Sequence, residues 1–197
     1  MTIHSTHPFP TPEDPVRRLR GRLGGAVSLW TAGPINDPAG LTVSSLMVAA
    51  GEPARLLGLV DPDSDLADAL TETGRAVVQL LSWRHRDLAE AFAGTAPAPG
   101  GPFRLGSFEE TAWGPRLADA ATWAGVAVES TTEVGWSRLV TAVVEEIHVG
   151  EDDEPLFHRR GRYARAAIRE GPRPASVVPP PASGRTTRRP PPGRPTA

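Results

Sequence analysis

GLTVSSLMVAAGEPARLLGLVDPDS, residues 40–64, is the stretch on which the reading of this chain turns. It holds two runs of strand length, Leu41–Leu46 and Leu56–Val60, broken by Gly51 and Pro53, the pattern of two strands that meet at a turn. Side chains alternate along a strand, so Thr42 and Ser44 are expected on one face and Val43 and Ser45 on the other. Small hydroxyls then occupy positions that a core strand fills with Val or Ile, and they leave room for something flat. Ser and Thr are also common in ordinary half-exposed strands, so this stretch needs support from its surroundings.

Upstream, Pro15–Arg20 reads as a helical turn, and Gly25–Thr31 as a strand bounded by glycines and by Gly33-Pro34. The loop Ala32–Ala39 returns the chain to the central stretch. Downstream the period changes. Ser64 is an N-cap candidate, and Leu66, Ala69 and Leu70 fall at helical spacing before Gly74. Ala76–Leu81 reads as a strand buried on both faces, followed by a helix around His85–Ala93 that buries Leu88, Ala89 and Phe92. Gly94–Gly106 is a Gly/Pro-rich surface excursion, and Trp113-Gly114-Pro115 a turn. Thr122–Ser130 and Ser137–Val149 read as an antiparallel pair joined by 131–136, and Leu156–His158 as a last strand before Gly161-Arg162-Tyr163. Strands returning by turns, with two short helices between them, predict a mainly β (α+β) fold, a predominantly antiparallel barrel with small helical insertions. No GxGxxG follows a strand, which argues against a Rossmann domain.

The 197 residues suffice for one domain. Residues 1–14 are polar and hold three prolines, a flexible N-terminus in which the HxxH of His4 and His7 is read as chance; residues 15–170 form the expected domain. The last 27 residues hold nine of the 22 prolines and five of the 21 arginines, with no acidic or aromatic residue, so 171–197 is read as a disordered Pro/Arg-rich tail. All 23 acidic residues precede it, leaving an acidic body that argues against a nucleic-acid surface. Without lysine there is no P-loop lysine and no Schiff base; without cysteine there is no disulfide, thiolate metal site or thiol nucleophile. No metal site is expected. The N-terminus has neither the basic start nor the apolar run of a signal peptide, and no 18-residue apolar stretch follows, so a cytoplasmic protein without a membrane segment is expected.

The order of GGAVSLWT (24–31), GLTVSSL (40–46), EPARLLGLVDPDS (52–64), AVVQLL (76–81), DLAEAFAG (87–94) and PLFHRRGRY (155–163) resembles the flavin reductase-like family over roughly Arg17 to Arg165. The resemblance implies an FMN-binding split β-barrel that pairs as a homodimer with flavin near the subunit interface. It also implies that Thr42, Val43, Ser44 and Ser45 lie along the isoalloxazine ring and ribityl chain. By the same resemblance Ser64 approaches the phosphate, and Arg84 and His85 help to hold it. A helix start and nearby arginines suit a phosphate, whereas Asp61, Asp63 and Asp65 around Ser64 repel one. Ser64 as a plain cap and Arg84–Arg86 as a solvated turn stay open.

Three positions depart from the family pattern. Gly135-Trp136-Ser137 stands where many relatives carry Gly-Asp-His, Leu46 replaces an aromatic, and Gln79 an asparagine. Trp136 is a candidate to cover the ring by stacking. His158 is read as packed and Tyr163 as an anchor of the last strand. The implied function is hydride transfer from NAD(P)H to flavin, serving a partner monooxygenase. The alternatives are a non-catalytic or differently coupled flavin-binding barrel, or a module that binds a protein through its Arg/Pro tail.

Overall fold

The computed structural model describes residues 15–151 and 154–165. The Asp152-Asp153 part of the acidic turn, both terminal segments and the HxxH fall outside them.

Helix α1 (Pro15–Leu23) leads through Gly24 into β1 (Gly25–Ala26) and β2 (Ser28–Ala32), so the expected strand is interrupted at Val27. Val27 is where the chain changes sheets: its N–H donates to Leu156 O and its carbonyl accepts from Leu81 N. There follow β3 (Ala39–Val43), β4 (Leu46–Ala49), β5 (Arg55–Val60), α2 (Asp65–Thr73) and β6 (Arg75–Leu80). A 3-10 turn (Trp83–His85) then runs into α3 (Arg86–Phe92). Beyond a second such turn (Pro102–Leu105) come β7 (Phe108–Thr111), β8 (Gly114–Leu117), β9 (Thr122–Val134), β10 (Ser137–Val149), β11 (Leu156–Arg159) and β12 (Arg162–Arg165).

Seven strands form one antiparallel sheet in the order β3-β2-β6-β9-β10-β5-β4. Its two edges, β3 and β4, are consecutive in sequence and joined by Ser44-Ser45 alone. Three Cα-to-Cα steps span at most about 11 Å, so the sheet has to curl until its edges meet. This corrects one expectation: Leu41–Leu46 is not a single strand paired with Leu56–Val60. It breaks at the serines, and the strand paired with β5 is β4. Two register shifts between β9 and β10 leave Glu129 and Glu145 without a partner residue opposite, and such bulges bend a sheet and re-aim side chains. Glu129 accepts from Nε and Nη2 of Arg55, each at 2.7 Å, and Glu145 accepts from the Trp113 indole N–H at 2.7 Å.

The curled sheet encloses Trp30, Val43, Leu56, Val60, Val78, Val126 and Val140, and α2 adds Leu66, Ala67 and Leu70. Gly58 admits the Trp30 indole, since a Cβ there would lie 2.7 Å from Cζ2. A second cluster outside the sheet joins Leu29, Leu81, Leu88, Phe92, Leu117 and Leu156 under α3. Phe92, Phe103 and Phe108 pack edge-on or tilted beside it, with centroids 4.8–6.1 Å apart. Gly40 lets β3 lie against this outer layer, because a Cβ there would meet the Phe92 ring at 2.7 Å.

The Trp113 turn proves to be the tip of a hairpin, β7–β8, and the hairpin β9–β10 is longer than expected, turning at Gly135-Trp136. Strands β1, β11 and β12 make a separate three-stranded sheet. No helix among the described residues is long and apolar enough to cross a membrane.

Candidate functional site

The seam where the sheet edges meet gives Thr42, Val43, Ser44 and Ser45 four different environments. Thr42 faces outward and its hydroxyl donates to Ala89 O in α3 at 2.8 Å. Val43 faces the enclosed core, and its carbonyl accepts from the buried Ser28 hydroxyl at 2.7 Å. Ser45 closes the seam: its hydroxyl donates to Leu59 O at 2.9 Å, and its carbonyl accepts from Leu59 N at 3.3 Å. Ser44 is exposed and its hydroxyl bonds to no described residue. The carbonyl of Ser44 lies over Gly25, where a Cβ would approach it to 2.8 Å. Strict alternation therefore holds for Thr42 and Val43, while the serines lie in the crossover beyond β3. The seam presents an open rim with one uncommitted hydroxyl and the acceptor lone pairs of two others.

Ser64 is the N-cap of α2. Its hydroxyl donates to Asp61 O at 2.6 Å and accepts from Ala67 N at 3.2 Å, so its proton is already committed. Asp65 and Asp68 in the first turn complement the helix dipole. No hydrogen bond among the described residues links Ser64 to the seam or to Arg84 and His85.

Arg84 and His85 stand at the entry to α3, the helix that Thr42 grips, so the topology brings them to the same outer layer as the seam. His85 is buried. The backbone N–H of Ser82 donates to Nδ1 at 3.1 Å, and Nε2 lies 3.2 Å from both Asp119 Oδ2 and Arg84 Nε. Arg84 donates to Asp119 O at 2.6 Å and lies 3.4 Å from the same carboxylate. Partial desolvation pushes the Asp119 carboxyl up. The hydrogen bond from His85 and the pull of His85 and Arg84 outweigh it, and the group is held below its usual value. Asp119, 34 residues beyond His85, carries no local sequence signal and was not among the expected residues. Beside it, Trp83 lies between two cations, with Arg165 Cζ 4.8 Å and Arg86 Cζ 5.7 Å from the ring centroid.

Gln79 is fully buried. Its amide donates to Thr31 Oγ1 at 3.1 Å and its carbonyl accepts from Leu117 N, which binds β6, β2 and β8 together. Trp136 projects from the tip of β9–β10, 69% exposed. His158 and Tyr163 are cross-strand partners with rings 5.5 Å apart, and Gly25 pairs with His158, which places them next to the seam. Burial and then the nearby Arg20 push the His158 imidazole down. Burial and then Glu90 push the Tyr163 phenol up to about 12.

The profile of the flavin reductase like domain matches residues 20–167. An NADH:FMN oxidoreductase of Rhodococcus qingshengii is 30% identical over 148 residues, 73% of this chain and 77% of the relative. The reductase component of 4-hydroxyphenylacetate 3-monooxygenase from Pseudomonas aeruginosa is 26% identical over 159 residues, 77% of this chain and 94% of the relative. Among solved structures, the NADH:FAD oxidoreductase SgcE6 of Streptomyces globisporus, determined with NAD and FAD fragments, superposes with a TM-score of 0.71. It is 22% identical, with 79% of this chain and 93% of that chain covered. A curled antiparallel sheet closed at a TVSS seam and a domain profile spanning most of the chain lead to one assignment: the chain belongs to the flavin reductase-like family.

Proposed function

We propose that the chain is a cytoplasmic, NADH-dependent flavin reductase that takes FMN along the Thr42–Ser45 seam and hands reduced flavin to a partner monooxygenase. The observation that carries this reading is the seam itself, where two sheet edges converge on an exposed Ser44 with an uncommitted hydroxyl. Its relatives' NADH:FMN activity and their membership of two-component monooxygenases support the choice of substrate and partner. The flavin supplies the hydride-accepting ring. In this reading Ser44 donates a hydrogen bond to the flavin, and Thr42 and Ser45 accept from it or hold the rim in place. Arg84 and His85, clasped to Asp119, fix the entry of α3 behind that rim. The Ser64 hydroxyl, whose proton goes to Asp61 O, has none left to donate to a phosphate.

We further infer a homodimer. Met47, Leu57, Leu59, Leu139 and Val143 line the outer side of β4, β5 and β10, where Met47 is 62% and Leu59 40% exposed. A second reading is a flavin-binding barrel without hydride transfer. It is motivated by Trp136 and Ser137 at the hairpin tip, which offer no imidazole.

The test is a visible spectrum of the purified protein with FMN under argon, before and after NADH. Bleaching of the flavin absorbance with catalytic turnover is expected. A flavin that binds and stays oxidised selects the second reading, and a chain that binds no flavin removes both.

A further inference from the structure

We propose that the arginine-rich end made by α1 and the β11–β12 hairpin is a recognition site for the phosphate groups of a nucleotide substrate. This rests on the flavin reductase reading and assigns a role to residues that it does not use. Elsewhere in the described residues most arginines are matched: Arg55, Arg75, Arg84, Arg86, Arg116 and Arg138 each lie within ion-pair distance of a carboxylate, and Arg104 does not. At this end the pattern reverses. Arg18, Arg22, Arg159, Arg160 and Arg162 have no described carboxylate within 4.0 Å, whereas Arg165, at the far end of β12, pairs with Glu154.

The arrangement is also rigid. Arg159 and Arg162 are direct cross-strand partners flanking a two-residue turn, Arg160-Gly161, in which both residues have positive φ, 54° and 74°, the signature of a tight hairpin. Like charges directly opposite on a hairpin destabilise it, so a fold that holds them there without a carboxylate is poised for an external anion. Arg160 N donates to Gly21 O at 2.7 Å, which fastens the hairpin to α1 and its own arginines. Guanidinium groups match phosphate oxygens in a bidentate fork.

Position ties this end to the seam. Gly25 touches Ser44 on one side and pairs with His158 on the other, so β1 alone separates the Ser44 rim from β11. A nucleotide whose ring system lies on the rim has its phosphate within reach of the hairpin. The phosphate has two sources in this reaction, the ester of FMN and the pyrophosphate of NADH.

The experiment compares wild type, R159Q/R162Q and R159K/R162K, each as the full chain. It measures equilibrium affinity for FMN and for riboflavin by flavin fluorescence, and the KM for NADH with riboflavin as acceptor. If the phosphate is that of FMN, R159Q/R162Q weakens FMN binding about tenfold and leaves riboflavin unchanged. If it is that of NADH, the same variant raises the KM for NADH about tenfold and leaves both flavins unchanged. The lysine variant keeps the charge and is expected to retain most of the affinity, which a misfolded hairpin cannot do. FMN and riboflavin affinities that both stay at their wild-type values in R159Q/R162Q, together with an unaltered KM for NADH, overturn the proposal and leave the reductase reading standing. A wild type that binds riboflavin, FMN and NADH not at all removes that reading, and this proposal with it.

Discussion

At the scale of single residues, the seam divides labour among side chains that look alike in sequence. Thr42, Ser44 and Ser45 are all small alcohols, yet two of their three protons are spent on Ala89 O and Leu59 O. Ser44→Ala is therefore expected to weaken flavin binding about fivefold, the worth of one hydrogen bond, with the unfolding midpoint unchanged. Thr42→Val is expected to act on the other axis and cost about 1 kcal/mol of stability in urea unfolding. Equal effects of the two variants on flavin affinity would contradict the division. That hydroxyls cluster here was legible from residues 40–64, because type and spacing are local. Which of them stays free was not, because Ala89 lies 47 residues from Thr42 and Leu59 belongs to another strand. The same holds for Ser64, whose capping role was legible because its partners, Asp61 and Ala67, sit within three residues of it. His158 gives a prediction with a definite sign. Its folded pKa is depressed below the ordinary 6.5, first by burial and then by Arg20. In that situation the unfolded chain takes up the proton more readily, so stability is intact above pH 6.5 and declines as pH falls from there toward the folded value. His158→Gln should flatten that part of the pH–stability curve measured by urea midpoints between about pH 5.5 and 7.5. An unchanged slope would mean that the ring is not shielded as described.

At the scale of elements, helices α2 and α3 and strands β5 and β6 were readable because an apolar period continues along each and a cap or glycine ends it. The β7–β8 hairpin escaped the reading: FEET and GPRL carry no alternating apolar pattern, and what fixes them is the strand they lie against. Gln79 is the clearest instance of such a tertiary tie. In sequence it looks like a polar lapse in AVVQLL, open to a ligand-binding role. In the fold its amide is turned to Thr31 and its carbonyl to the Leu117 N–H, and nothing of it reaches solvent. Gln79→Leu preserves bulk but strands a buried N–H on β8, so a loss of about 1–3 kcal/mol is expected, with local loosening of β7–β8 in hydrogen exchange. Gln79→Asn, the residue that the family pattern carries, is too short to reach both partners and should also destabilise, though by less. Full stability in the Leu variant would show that the tie across β6, β2 and β8 carries no weight.

For the whole molecule, net charge and hydropathy conceal where charge and apolar surface lie. A chain with a formal charge of −2 and an acidic body still gathers unmatched arginines at one end, because sequence-distant segments, residues 15–23 and 156–165, fold against each other. Apolar surface is redistributed in the same way. Along β5, Leu56, Gly58 and Val60 turn inward, so Leu57 and Leu59 turn outward, where Met47 of β4 and Leu139 and Val143 of β10 join them. An ordinary solvent-facing sheet places polar residues on that side, and a row of aliphatic ones is what a self-associating face requires. A two-fold pairing makes each such residue count twice, so one charge inserted at its centre faces its own copy across the axis. Met47→Glu and Leu59→Glu together should therefore convert a dimer into a monomer in light scattering after size exclusion, with the circular dichroism spectrum unchanged because neither side chain enters a core cluster. A wild type that runs as a monomer at tens of micromolar would instead show that this face stays wet. The aliphatic row would then need another occupant, and the proposed partner monooxygenase would be the first protein to titrate against it.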